Sequence, residues 1–499
     1  MELEFEKSTC RFLKRALREV QNQELTQEIK LTDGMPDVGR VIGSWGQVIL
    51  RGKEWRGDSI AFSGGLMVWV VYEPEEGGES RCLDTWIPFQ MKWDLPGNVN
   101  EGDIRIRCLV RFTDARSVSP RKIMIRAGVA AMAEAMCPAQ MDVYIPGEVP
   151  EDIQLLSRTY PVRLPVEAGE KAFLMDEELI LPGSGPAPEK ILYYTVQPQV
   201  TDTKVMSNKV VFRGNGNLHM LYRAQDGQLY SWDFELPFSQ FGELEGEYSP
   251  EAQGEIAMGT TNLELEMDDE GHMRLKCGLV GQYLVDDRQM MQIVEDSYSP
   301  LRPVEPRMQP LELPAVLDSR SENIYGEQTI PADANVIVDS VYLPDYPRQR
   351  RTADGMEAEI PGMFQVLYYG EDGALRSGTT RWEGQWAMKA DGGSSIAMDV
   401  APVGRPLASI GDGSIRMQSE TLVRADTVSD QGLPMVTGLE MGQLQEPDPM
   451  RPSVILRRMG DDDLWSMAKG SGSTVDAIRQ ANGFQEEPER GRMLLIPVM

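Results

Sequence analysis

The sequence predicts a mainly β chain, with three repeated antiparallel β-domains followed by a small α+β domain of β-α-α-β order. Three observations carry this prediction. Similar segments recur at intervals of 146 to 150 residues. Within them, apolar and polar residues alternate as they do in half-buried strands. Near the C-terminus the composition changes, and two short helices are predicted between two apolar strands.

The repeats are clearest in a segment that resembles a hairpin. LYRAQDGQL at 221–229 matches LYYGEDGAL at 367–375 without a gap, and VYEPEEGGESRCLDTWIPF at 71–89 is a looser copy. A domain of about 100 residues is a common size, so three divergent copies with connectors explain most of the chain. A similar segment precedes the hairpin in each copy. In these segments Leu31, Leu181 and Ile330 occupy equivalent positions. We predict repeat domains at 1–147, 148–296 and 297–445, and a last domain at 451–499.

Alternation and turn residues predict the strands of these domains. In residues 104–112, apolar side chains alternate with Arg105, Arg107, Leu109 and Arg111, which is the pattern of a half-buried antiparallel strand. Residues 263–276 fit a hairpin around a polar turn. Asp226-Gly227 and Asp372-Gly373 are strong hairpin-turn pairs between apolar strands.

The N-terminus and the connectors between the repeats do not show the alternation that predicts strands. A helix is predicted near residues 8–21, because four apolar residues fall on one side of it: Phe12, Leu13, Ala16 and Val20. The connectors are polar and rich in proline, as in 297–314, and we expect them to be extended linkers or covers.

Charge and cysteine usage exclude several classes of protein. With 78 acidic and 49 basic residues, the formal charge is −29, which repels phosphate backbones and anionic lipid head groups. Nucleic-acid binding is therefore not expected. An apolar run of about 18 residues is absent from the sequence, so membrane insertion is not expected either. The five scattered cysteines suit a reducing compartment, and we expect a cytoplasmic protein without a signal peptide.

Motifs for catalysis are weak. His219 lies in an alternating segment and His272 in a turn, without the spacing of metal ligands. Gly214-Asn215-Gly216 lacks the third glycine of a dinucleotide loop, and the loop at 470–474 lacks a phosphate-binding lysine. Paired carboxylates of a glycoside hydrolase need not be close in sequence, so that alternative stays open. We expect a protein that is not an enzyme and that has no cofactor and no metal site.

The last 49 residues differ from the chain before them. Arg451 to Met499 holds seven basic and seven acidic residues, so the upstream chain carries the net charge. A strand is predicted at 454–456 and a helix at 464–469. A second helix is predicted to be capped by Thr474 and to end at Asn482-Gly483, before a final strand at 493–499.

These residues closely resemble the LysM domain. The resemblance rests on DDDLWSMAK (461–469), TVDAIRQANGF (474–484) and GRMLLIP (491–497). The chain departs from the family pattern in its acidic first turn and in Arg492, where the family has glutamine. The upstream repeats resemble SPOCS domains in the LPGSGPAPEKIL lead-in, the LYRAQDGQLYSWDFELPF hairpin and RSVSPRKIMIRA at 116–127.

Three SPOCS-like repeats followed by a LysM domain resemble the SipL-like spore coat morphogenesis proteins. The resemblance implies a non-catalytic protein of the mother cell, which lies on the developing forespore and tethers the coat basement layer. It implies that the LysM domain binds a coat morphogenetic ATPase, stage IV sporulation protein A, and that the repeats bind other coat proteins. The alternative is an envelope protein whose LysM domain binds peptidoglycan or GlcNAc oligomers.

The resemblance also suggests which residues of the last domain bind and which form its core. The loops that line one groove would bind a partner or glycan through Asp461, Asp462, Asp463, Leu464, Asn482, Gly483 and Phe484. The expected core residues are Trp465, Ala468, Ile478, Ala481 and Ile496. Trp465 could instead stack on a sugar, but a large side chain on a short helix that faces an apolar strand is more often core. The acidic residues could equally be a solvated turn at the positive end of a helix.

Overall fold

The chain folds into small antiparallel sheets, with two short helices near the C-terminus, which confirms the mainly β prediction. The computed structural model describes residues 2–97, 99, 101–181, 186–268, 271–312, 315–352, 355–389, 394–429, 432–445, 450–460, 462–484 and 489–499.

The first segment of the fold consists of two three-stranded sheets over a common core. The short strand β1 (Glu2–Glu4) precedes these sheets and belongs to another one described below. The six strands of the two sheets are β2 (Glu6–Lys30), β3 (Val38–Arg56), β4 (Ser59–Pro74), β5 (Arg81–Asp94), β6 (Asp103–Ser119) and β7 (Lys122–Ile145). One sheet is the meander β3-β4-β5, and the other has the order β2-β7-β6. Apolar residues of both sheets pack together, among them Val68 and Ile87 against Ile125 and Ala127.

The second segment has the same strand order. Its strands are β8 (Gln154–Leu179), β9 (Pro188–Met206), β10 (Lys209–Ala224), β11 (Leu229–Glu243), β12 (Gln253–Met267) and β13 (Met273–Tyr298). The meander is β9-β10-β11, and the other sheet has the order β8-β13-β12.

The third segment follows the same order with one interruption. Its strands are β14 (Val304–Glu312), β15 (Ala315–Pro331), β16 (Ala334–Pro344), β17 (Arg348–Thr352), β18 (Gly355–Gly370), β19 (Leu375–Met388), β20 (Ser394–Gly411), β21 (Ser414–Ser429) and β22 (Gly432–Met441). β16 and β17 pair with successive parts of β18, as β3 pairs with β4 along its length. The break contains Pro347, which has no N–H to donate to a ladder. The second sheet has the order β15-β21-β20.

The predicted hairpin turns are confirmed. In the β10–β11 turn, the N–H of Ala224 donates to Gln228 at 3.0 Å, and Gly227 has φ +80°. In the β18–β19 turn, the N–H of Gly370 donates to Ala374 at 2.9 Å, and Gly373 has φ +75°. Glycine tolerates these positive φ angles without strain, so the repeated Asp-Gly pairs set the two turns.

The predicted N-terminal helix is wrong. Residues 8–21 belong to β2, which pairs with β7 along its length, from Glu6 opposite Ile145 to Lys30 opposite Lys122. The ladder bulges between Arg15 and Leu17. Helix propensity is a weak preference, and here the long pairing with β7 overrides it.

Within the connector at 297–314, residues 304–312 form the extended strand β14, as predicted, but this strand is paired rather than a free linker, and residues 313 and 314 lie outside the described residues. β14 forms a three-stranded sheet with β1 and β22, in the order β1-β22-β14. Leu311 and Met435 of this sheet are buried against Met141 and Ile293. The sheet therefore holds the N-terminus and the third segment against the first two.

The three segments share a hydrophobic core. Trp45 of β3 stacks on Tyr193 of β9, with ring centres 4.4 Å apart and planes 9° from parallel. Leu367 and Leu375 of the third segment pack in the same cluster. The segments are therefore packed closely together rather than strung out along linkers.

The last segment, 450–499, has the predicted β-α-α-β order. Its elements are β23 (Val454–Arg458), α1 (Leu464–Ser471), α2 (Val475–Asn482) and β24 (Met493–Pro497), and β23 pairs with β24 in antiparallel fashion. The Thr474 hydroxyl accepts from the N–H of Ala477 at 3.1 Å, which confirms the predicted cap. Helix α2 ends at Gly483 with φ +66°, also as predicted.

Candidate functional site

The core of the C-terminal segment contains three of the five residues predicted for it. Ala468, Ile478 and Ile496 are fully buried. Ala481 was predicted in the core but is exposed, since it lies in the last turn of α2, whose buried residue is Ile478. Leu464 was expected in a binding loop but is buried at 3% exposure. It begins α1 and shares an inward face with Met467 and Ala468, which lie three and four residues later.

Trp465 lies between the C-terminal segment and strand β13. Its ring packs edge-on against Tyr298, with centres 4.8 Å apart and planes at 73°. Its Nε1 donates a hydrogen bond to Oδ2 of Asp296 at 2.8 Å. The side chain is half-buried and contacts the core of its own segment from one side, so the core prediction is only partly right. The sequence pattern gave no indication of the contact with β13.

Further bonds fix the C-terminal segment on β13. Lys469 Nζ lies 2.8 Å from both carboxylate oxygens of Asp296. The hydroxyl of Tyr298 donates to the carbonyl of Ser473 at 2.9 Å, and Tyr298 itself is 5% exposed. Burial alone raises the pKa of Asp296, but the hydrogen bonds from Lys469 and Trp465 outweigh it and hold the pKa below its ordinary value. Asp296 therefore stays ionised and anchors the segment.

The acidic loop before α1 has structural partners. Asp462 forms an ion pair with Arg457 of β23 at 2.6 Å and is exposed. Oδ1 of Asp463 accepts from the N–H of Ser466 at 2.8 Å, so Asp463 caps α1. This hydrogen bond lowers the pKa of Asp463. Asp461 lies outside the described residues.

The second predicted loop joins α2 to β24. The amide of Asn482 donates to the carbonyls of Ile478 at 2.8 Å and Leu495 at 2.7 Å, and its oxygen accepts from the N–H of Leu495 at 2.9 Å. Phe484 is half-buried, and the guanidinium of Arg492 lies 5.4 Å from its ring centre. Asn482 therefore connects two elements, and Arg492 covers one side of the Phe484 ring.

The outer face of the β23–β24 sheet is exposed and mostly apolar, with Arg458 opposite Met493 at one end. Leu456 lies opposite Leu495, and these two side chains are 68% and 37% exposed. Val454 and Met493 extend the face at 45% and 55% exposure. Sequence reasoning missed this surface, although VIL and MLLI are apolar at every position. A two-stranded sheet with helices on one side must expose the other face. We call Val454, Leu456, Met493 and Leu495 the outer sheet face.

An ionic junction joins the three upstream segments. Arg105 and Glu134 of the first segment are 2.9 Å apart, and each side chain is 2% exposed. Arg105 also contacts Glu255 of the second segment at 3.0 Å, and Arg18 contacts Asp399 of the third at 2.8 Å. The sequence predicted a half-buried strand here, but the arginine face of β6 is covered as well, since Arg105 is buried between segments. Alternation alone does not distinguish a solvated face from a polar interface.

His219 belongs to a second polar cluster, between the second and third segments. Its Nδ1 lies 2.8 Å from Asp233, and its Nε2 lies 3.2 Å from Asp339. Arg405 binds both carboxylates, at 2.8 Å and 2.6 Å. The Tyr193 hydroxyl donates to Asp339 as well. Among the described residues, no group of three or more His, Cys, Asp or Glu is arranged to hold a metal ion.

The architecture is that of a mainly β protein made of several small antiparallel sheets, with a small β-α-α-β segment docked on its second part. Residues 188–267 match the family model described as SipL, SPOCS domain. The matched stretch begins with β9 and ends with β12, so it covers most of the second segment. This match shows that part of the second segment is similar to the SPOCS domain of SipL.

The other comparisons give no further relative. Neither a curated protein nor a solved structure matches the chain. Within the described ranges, neither helix is long and apolar enough to cross a membrane.

Proposed function

We propose that this chain is a non-catalytic adaptor in spore coat assembly. In this proposal it acts in the cytoplasm of the mother cell, at the surface of the developing forespore, and tethers the coat basement layer through protein contacts. The match of residues 188–267 to the SPOCS domain of SipL supports the sporulation role.

Within the proposal, the three upstream segments are copies of one SPOCS-like domain, and residues 451–499 are a LysM domain. The recurrence of one strand order in the three segments supports the first assignment. The β-α-α-β order and the caps at Asp463 and Thr474 support the second. The domain boundaries that the sequence predicts, given above, remain predictions.

The outer sheet face is the observation that carries the adaptor role. Leu456 and Leu495 form an adjacent apolar pair, with Val454 and Met493 on the same face and Arg458 opposite Met493 at one end of it. Apolar side chains grouped on an exposed surface are typical of protein interaction sites. We propose that the coat morphogenetic ATPase, stage IV sporulation protein A, docks on this face.

The position of the aromatic residues favours a protein partner over a glycan. Sugar rings stack on exposed aromatic faces, but the Trp465 ring packs against Tyr298 and its N–H is bound to Asp296. Phe484 is half-buried beside Arg492. The glycan-binding alternative is therefore kept as an outcome of the test.

A binding measurement on the full chain tests the proposal. The double variant Leu456→Ser/Leu495→Ser should weaken binding to the ATPase by about 1–3 kcal/mol, the usual cost of losing a central apolar contact. The matched control is Leu174→Ser/Leu407→Ser, which removes two leucines that are 60% and 71% exposed elsewhere. The control should bind like the unaltered chain.

Two outcomes would contradict the proposal. One is equal binding of the ATPase by the variant and the control. The other is retention of the chain on peptidoglycan without any binding to the ATPase, which would favour the glycan alternative. Fluorescent tagging in a sporulating host adds an independent test, because the adaptor should encircle the forespore.

A further inference from the structure

A cavity of about 830 Å³ lies at the meeting point of the three upstream segments. Its walls include β3 and β6 of the first segment, β9 and β12 of the second, and β20 and β21 of the third. This volume lies within the range of about 300–1,000 Å³ that small-molecule sites occupy in proteins.

The cavity is lined by more positive than negative side chains. The lining carboxylates are Glu255, Asp399 and Asp426. The lining arginines come from every segment: Arg15, Arg18, Arg107, Arg163, Arg288, Arg320 and Arg424. In a chain whose formal charge is −29, this excess of cations is a local reversal of sign. Such a reversal concentrates anions in a cleft with low-dielectric walls.

The carboxylates of this cavity are already engaged. Asp399 binds Arg18 at 2.8 Å and Arg107 at 3.2 Å, and Asp426 accepts from Ser319 at 2.6 Å. Glu255 binds Arg107 as well. The acceptors that line the cavity are therefore shared among several donors.

Donors remain in excess. The Nε–H groups of Arg107 and Arg163 are buried with no hydrogen-bond acceptor among the described residues. A buried donor without a partner costs about 1–3 kcal/mol, so added acceptors would be favourable once the guanidinium groups turn toward them.

Two arginines have free guanidinium groups. Arg288 and Arg424 are exposed, and in the described part of the chain neither has a carboxylate within ion-pair distance. Arg288 lies directly opposite Arg163 in the β8–β13 ladder, where like charges repel each other; Arg163 is paired with Asp286 at 2.7 Å, whereas Arg288 has no such partner among the described residues. An anion bound between them would remove this repulsion.

We propose that the cavity binds a small polyanion, a molecule with two or more carboxylate or phosphate groups, through Arg288, Arg424 and the arginines behind them. Planar guanidinium groups bind either type of anion with paired hydrogen bonds. A ligand held by all three segments would stabilise their packing. This site is separate from the outer sheet face and does not depend on the proposed function.

Titration of the full chain with inorganic triphosphate and with citrate tests the site. Both ligands should raise the melting temperature in a saturable way, whereas acetate at equal ionic strength should not. The double variant Arg288→Gln/Arg424→Gln should raise the Kd of the better ligand at least tenfold. The variant is expected to fold, because these two side chains are exposed and removal of Arg288 relieves its repulsion with Arg163.

The matched control is Arg213→Gln/Arg381→Gln, which removes two exposed arginines of the second and third segments that do not line the cavity. The control should bind like the unaltered chain. Preference for triphosphate would identify a phosphate ligand, and preference for citrate a carboxylate. Absence of saturable binding, or equal loss of affinity in variant and control, would overturn the proposal.

Discussion

The indole N–H of Trp465 donates to the carboxylate of Asp296 at 2.8 Å, across the boundary between helix α1 and strand β13. The same carboxylate holds Lys469. Together with the contacts of Tyr298, this fixes the C-terminal segment on the second upstream segment. One acidic residue, remote in sequence from both partners, thus binds two side chains of α1.

Asp296→Ala should release the C-terminal segment from β13. The substitution removes the acceptor of Trp465 and Lys469, which at this partly exposed position should weaken docking by about 1–2 kcal/mol. Hydrogen exchange should then become faster in α1 and at the end of β13, while the upstream sheets keep their protection. Asp202→Ala, at an exposed position in β9, is the control. Unchanged exchange in α1 would show that Asp296 is not the anchor.

An isolated fragment of residues 451–499 should melt at a lower temperature than the same residues in the full chain. Tyr298 is buried among the apolar residues of this segment but belongs to β13, so the fragment lacks part of its core. Its loss should cost about 2–4 kcal/mol, as for other large core deletions. Circular dichroism of the fragment and of Tyr298→Ala in the full chain measures the effect. If the isolated fragment melted at the same temperature as residues 451–499 in the full chain, the idea of a shared core would be refuted.

Glu134→Ala should strongly destabilise the junction between the upstream segments. Glu134 is buried between Arg105 and Arg18, and its removal leaves buried guanidinium charges without a partner. Breaking such a pair typically costs about 3–5 kcal/mol. Urea unfolding should show a lower midpoint than for Glu24→Ala, which removes an exposed pair with Arg126. Similar midpoints would mean that the buried cluster contributes little.

Stability should depend on the protonation of His219. Burial alone lowers the pKa of His219, but Asp339 and Asp233 outweigh it, so the pKa lies above its ordinary value of 6.5. The neighbouring Arg405 opposes this shift but does not cancel it. The folded state therefore binds the proton more tightly than the unfolded state. The stabilisation is complete below the unfolded pKa and is lost as pH rises through the folded pKa.

Thermal melts between about pH 6 and pH 9 measure this effect. As the pH rises over this range, the melting temperature of the unaltered chain should decrease. The His219→Gln variant should lack this decrease. His272→Gln, which changes a histidine that is 73% exposed, should keep the decrease. The same pH profile for all three proteins would contradict the role of His219.

The positions of the site residues show how far local sequence reasoning extends. It correctly placed Ala468, Ile478 and Ile496, whose spacing within short elements fixes their face. It correctly predicted that α1 begins at Leu464, but it counted this residue among the binding residues, whereas the side chain occupies the first inward position of α1. The partner of Trp465 was not predictable, because Asp296 lies 169 residues away.

The sequence by itself determined the features that depend on neighbouring residues. Alternation set the strands, Asp-Gly pairs set the hairpin turns, and Thr474 and Gly483 set the ends of α2. Only the tertiary structure decided the conformation of residues 8–21, the burial of Arg105 and the docking of the C-terminal segment. Each of these depends on contacts between residues far apart in the chain, where long-range pairing and burial outweigh the local preference.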